Sequence, residues 1–234
     1  MTQQLIDVGT AYIEALKGLK EDRPQDVDHI LDIFDKVHPD SNYHFGIYIE
    51  EPWENDAPTH ACDQSWFHCY QGEEEPIMRR PYNSQKWRDY DSDNMLYMRF
   101  TMLYMRFTFE MFNHLTIEPS AMGAWQAYLL CISKTILPFS GSLYYTKREL
   151  ILNYEQLQRF RVWAIIAKQL WDIKADVSPS VSINGNQAIV SCCYWNMWEG
   201  LVRENVPITF ENNKVTIGKF RQEILYKYNC GWRF

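Results

Sequence analysis

Between Val181 and Ile217 the chain changes its hydrophobic period, and that change constrains the fold more than any other feature. Val181-Ser182-Ile183 alternates apolar and polar residues, Asn184-Gly185 interrupts it, and Ala188 to Trp195 continues as a second apolar-rich run. A period of two marks a strand with one buried face, and Asn-Gly supplies the positive φ angles of a tight hairpin turn. Pro207-Ile208-Thr209-Phe210 and Val215-Thr216-Ile217, joined by Glu211-Asn212-Asn213-Lys214, predict a second hairpin. Phe220 to Tyr228 suits strand or helix. Residues 178–234 are therefore expected to form a β-rich C-terminal part.

Upstream the period is helical. Leu5, Val8, Tyr12 and Leu16 share one face, and Val27, Ile30, Phe34 and Val37 form a second stripe. His38-Pro39-Asp40 ends that stripe, because a residue before proline resists the α conformation. His44 to Ile49 reads as a short strand. Ser120 is a natural N-cap for Ala121 to Leu137, which is apolar nearly all round and so predicts a buried central helix. Thr146-Lys147-Arg148-Glu149 fits a capping box for a helix reaching about Lys174. Met95-Leu96-Tyr97-Met98-Arg99-Phe100-Thr101 recurs at once as residues 102–108. Seven residues are nearly two helical turns, with a drift of only ~20° per heptad, so the repeat reads as a duplication that lengthens a helix.

These elements predict an α+β fold in a single domain over residues 1–234, with a helical N-terminal and central part and a C-terminal antiparallel meander of two hairpins. Residues 50–94, with Pro52, Pro58, Pro76 and Pro81, are expected as an irregular acidic and aromatic excursion. The strand–Asn-Gly–strand pattern of residues 181–217 is similar to the curved-sheet half of nuclear-transport-factor-2-like domains. The likeness covers under a fifth of the chain and brings no functional residue with it.

Charge is segregated along the chain. Residues 1–49 carry nine acids and four bases, a net of −5, and residues 50–75 carry eight acids and no Lys or Arg, a net of −8. Residues 76–234 carry nineteen bases and thirteen acids, a net of +6. An acidic first third repels a phosphate backbone, so no direct nucleic-acid partner is expected. MTQQLIDVGT has no basic stretch leading into an apolar one, which predicts no secretory leader. Pro119 to Pro138 contains Lys134 and falls short of the ~20 strongly apolar residues of a membrane span, so no membrane partner is expected. Six cysteines are too sparse for a disulfide scaffold and read as reduced thiols in a cytoplasmic protein.

No Gly-x-Ser-x-Gly elbow, His-Glu-x-x-His, Walker loop or dinucleotide glycine fingerprint occurs. The acids of residues 50–75 are interleaved with aromatics. Glu50, Glu51, Trp53, Glu54, Asp56, Asp63, Trp66, Glu73, Glu74 and Glu75 are the candidate partner-binding residues, since aromatics anchor interfaces and acids steer a basic partner. The expected function is a non-catalytic cytosolic binding protein, an inhibitor or immunity protein neutralising a basic toxin or nuclease, with no cofactor. One alternative is a small enzyme of unrecognised class holding zinc through His60, Cys62, His68 and Cys69. Adjacent His68 and Cys69 would need a turn to reach one ion. Another is a ligand-binding domain with an aromatic pocket around Trp195 and Trp198. Cys192-Cys193 reads as two small hydrophobes on a strand, one to each face.

Overall fold

The structure is a computed structural model and describes residues 1–19, 27–51, 64–71, 77–81, 111–136, 148–159, 175–196 and 199–227. Strand outweighs helix among these residues. Among the described residues the chain has neither the expected helical centre nor a C-terminal part limited to a two-hairpin meander. The C-terminal half holds a six-stranded antiparallel sheet, and strands appear on both sides of the chain's middle.

The N-terminal stripe forms as expected. Helix α1 (Thr2–Gly18) buries Leu5, Gly9, Tyr12 and Leu16 on one face. The second stripe yields only a short turn of helix, α2 (Asp28–Leu31), before strand β1 (Val37–Pro39). Val27, Ile30, Phe34 and Val37 are all buried nonetheless. Strands β2 (Tyr43–Glu51), β3 (Gln64–Gln71) and β4 (Ile77–Pro81) form a three-stranded sheet in the order β3-β2-β4. The expected irregular excursion over residues 50–94 is thus partly regular. Phe45, Ile47 and Phe67 supply the reason, since they are buried and give this sheet a core face. Strand β5 (Leu115–Ile117) pairs with β1. The duplicated heptads of residues 95–108 lie outside the described residues.

Helix α3 (Ala121–Cys131) starts where Ser120 predicts. The Ser120 Oγ accepts the Gly123 N–H at 3.1 Å. Its residues from Gly123 to Cys131 are all buried. The helix passes into a short 3₁₀ turn over Ser133–Thr135 rather than running on to Leu137. Where a helix is expected from Thr146, the chain forms strand β6 (Glu149–Ile151), which pairs with Cys193 to Trp195, and then helix α4 (Tyr154–Arg159); the rest of the expected helix, residues 160–174, lies outside the described residues. Leu150 and Ile151 are buried by that pairing, so tertiary contact overrides the local helix signal.

Strands β7 (Ser180–Asn184), β8 (Gln187–Asn196), β9 (Gly200–Glu211), β10 (Lys214–Ile217) and β11 (Arg221–Lys227) complete the large sheet. β8 and β9 are its spine. β6 and β7 share the outer side of β8, and β10 and β11 share that of β9. Gln222, Glu204 and Cys192 face one another across β11, β9 and β8 in a single row. α3 packs on the inner face, and Trp125 of α3 donates from Nε1 to the Leu5 carbonyl oxygen at 2.9 Å, tying in α1. On the outer face Ile151, Leu157, Val177, Cys193, Trp195 and Leu201 form a second cluster under α4.

Candidate functional site

The acidic, aromatic stretch hangs on the three-stranded sheet. Glu50 and Glu51 are the last two residues of β2, and Trp66 lies in β3 opposite Tyr48. Trp53, Glu54, Asp56, Asp63, Glu73, Glu74 and Glu75 lie outside the described residues. The chain leaves β2 at Glu51 and enters β3 at Gln64, at one end of the sheet, with Glu50 opposite Gln64. It leaves β3 at Gln71, opposite Tyr43, at the other end. Seven strand steps of ~3.3 Å each put those ends roughly 23 Å apart. β4 runs parallel to β2 and sets Arg79 opposite Ile49 and Arg80 opposite Glu50. Arg80, which follows the acidic stretch in sequence, is therefore the register partner of its first acid, and Pro81 that of Glu51.

His60 and Cys62 lie outside the described residues. His68 and Cys69 occupy successive positions of β3, opposite Gly46 and Phe45, and successive strand positions belong to opposite faces. The half-buried Cys69 directs its thiol to the Met111 carbonyl oxygen at 3.9 Å. Among the described residues no three His, Cys, Asp or Glu side chains converge as metal ligands. Cys192 and Cys193 fall on the two faces of β8, in the inner and outer clusters respectively. Burial pushes the thiols of Cys131, Cys192 and Cys193 up, that of Cys131 to about 12, so they stand as neutral packing groups at neutral pH. Trp195 is 8% exposed and stacks on Tyr226 at 6.4 Å between ring centres, and Trp198 lies outside the described residues.

One polar cluster escaped the sequence reading. Glu204 on β9 has no exposed surface, and its carboxylate receives Arg148 Nη1 on both oxygens, at 3.0 and 3.1 Å. Gln222 Nε2 donates to Glu204 Oε2 at 3.0 Å, and the Tyr128 hydroxyl approaches Oε1 at 3.4 Å. Gln222 Nε2 also donates to the Tyr194 hydroxyl at 3.0 Å, and that hydroxyl donates to Glu199 Oε2 at 3.1 Å. The Arg148 guanidinium lies 4.3 Å over the Tyr194 ring. Burial pushes both phenols up, so they serve as hydrogen donors and not as bases. The carboxylate is matched by a charged fork and by further donors, which makes the cluster a lock between α3, β8, β9, β11 and Arg148 just ahead of β6. Its signal was available. Val202, Glu204, Val206, Ile208 and Phe210 form the inward phase of β9, and an acid in an apolar phase announces a paired, buried charge.

A second ion pair joins distant parts of the chain. Lys214 Nζ binds both Asp40 oxygens at 2.6 and 2.8 Å and the Leu115 carbonyl oxygen at 3.0 Å, while Thr116 donates to Asp40 at 2.8 Å. Burial alone would raise the Asp40 carboxyl, but hydrogen bonds from Lys214 and Thr116 outweigh it and hold the group below the usual carboxylate range.

No protein-family model, curated protein or solved structure matches this chain. No helix among the described residues is long and apolar enough to cross a membrane.

Proposed function

We propose that this chain is a non-catalytic binding protein that captures a basic protein, such as a toxin or nuclease, through its acidic first third. The observation that carries this reading is the charge split, with residues 1–75 at a net of −13 and the remainder at +6. Such a field raises the encounter rate of a positive partner and penalises polyanions. The chemistry of the described residues supports the same reading. The buried thiols are held neutral, and the most buried carboxylate is spent on Arg148.

In β4, Arg80 lies opposite Glu50 of β2, and Pro81 lies opposite Glu51. Glu73, Glu74 and Glu75 are three adjacent acids between β3 and β4 in sequence, and we take this triplet as the steering element to test. The test is affinity capture from the native host at about 0.1 M and about 1 M salt, across which the screening length falls from ~10 to ~3 Å. A stoichiometric basic protein, held at low salt and weakened at high salt, is expected. Recovery of no basic protein at low salt would contradict the proposal.

A further inference from the structure

Four strands form the margins of the large sheet, and three carry features that discourage strand addition. β6 has Glu149. β10 has Lys214, held by Asp40. β11 has Arg221, Glu223 and Lys227 and a bulge between Ile224 and Tyr226. Charges and bulges are the usual protection of an open edge. β7 has none of them. Its five residues, Ser180-Val181-Ser182-Ile183-Asn184, are uncharged, contain no proline and pair with β8 in unbroken register. No other described strand pairs with its outer side. Ile183 is 43% exposed although it shares the inner face with the buried Ala188 opposite it.

The order of those five residues selects the occupant. Turned antiparallel on itself about Ser182, the strand sets Val181 against Ile183 and Ser180 against Asn184, with Ser182 against Ser182. Apolar meets apolar on the inner face, uncharged polar meets uncharged polar on the outer face, and no charge opposes a like charge. A two-fold axis demands this kind of self-complementarity. We propose that β7 is a self-association edge, at which two copies of this chain pair β7 with β7 and join their six-stranded sheets into one. Five residues bury less than the ~1,200 Å² of a standard stable interface, so the dimer is weak and depends on concentration. The inference is independent of the acidic surface.

Two experiments test it. Sedimentation velocity over a concentration series from micromolar to several hundred micromolar should show a monomer–dimer equilibrium. Ser182→Lys should weaken it at least tenfold, while Ile224→Lys on the opposite margin should leave it unchanged. A wild-type chain that stays monomeric throughout, or a dimer indifferent to Ser182→Lys, overturns the proposal. The second experiment does not depend on how the Lys variant folds. Residues directly opposed across antiparallel strands lie ~4.5–5.5 Å apart between Cα atoms, within disulfide reach. Ser182→Cys should therefore give a covalent dimer under mild oxidation, above the background of the chain's own cysteines. Asn184→Cys should not, because its own copy lies four residues, ~13 Å, away along the strand. Equal cross-linking by both variants, or by neither, contradicts the pairing.

Discussion

Glu204 shows how one residue can join distant parts of a chain, since its carboxylate on β9 meets Tyr128 of α3, Gln222 of β11 and Arg148. Its carboxylate is fully buried, and Arg148 is its charged partner at 3.0 Å. Removing one half of such a pair strands the other charge, at a cost of about 3–5 kcal/mol, whereas replacing both halves with apolar groups of similar volume is far milder. Glu204→Ala is therefore expected to destabilise the protein strongly in urea denaturation, and Arg148→Met with Glu204→Leu to recover much of the loss. Equal destabilisation by single and double variants would count against the lock. Asp40 makes a prediction of different form. Its carboxyl is held below the usual range, so its stabilising effect is present above the unfolded-state value and is lost as pH falls through the folded-state value. Below about pH 4 the wild-type chain should lose stability more steeply than Asp40→Asn, and at neutral pH it should be the more stable of the two. Parallel stability curves for the two proteins over that range would contradict the assignment.

Elements were legible where a local signal and its tertiary setting agree. Ser120 caps α3 as its sequence predicts. Gly123 explains why that helix can start so close to β5, since a Cβ there would run into the Glu118 carbonyl oxygen. Gly123→Ala should cost about 1–3 kcal/mol, because backbone cannot yield as a side chain can, and thermal denaturation will measure it. The missed helix start is equally instructive. The working cap lies at Asn153-Tyr154-Glu155-Gln156, where the Asn153 side chain accepts the Gln156 N–H at 2.9 Å and the Gln156 side chain accepts the Leu152 N–H at 2.7 Å. That pattern resembles the one read at Thr146, seven residues earlier, and local sequence alone does not rank them. The hairpins were legible, but not their turn types. In the first, Asn184 pairs with Gln187, and Gly185 takes positive φ while Asn186 does not, so Gly stands first in the turn. In the second, Asn212 and Asn213 both take positive φ, the requirement of a type I′ turn. The number of strands was not legible, because β6 and β11 owe their form to pairing with β8 and β9.

At the scale of the whole molecule, charge along the chain and charge in space differ. The sequence presents residues 50–75 as one acidic block followed by bases, but the β3-β2-β4 order brings Arg80 of β4 opposite Glu50 of β2. Only topology reveals that juxtaposition, since it depends on a parallel pairing of residues thirty apart. Glu73→Lys with Glu74→Lys and Glu75→Lys should slow capture of a basic partner, and so should Glu50→Lys with Glu51→Lys. The most direct measurement is the association rate constant of the captured partner with wild type and both variants, followed across ionic strength. The account predicts a rate that falls steeply with salt for wild type, and a rate ~10-fold or more lower with a flattened salt dependence for the triple variant at about 0.1 M salt. Rates that are equal for all three proteins and indifferent to salt would contradict it.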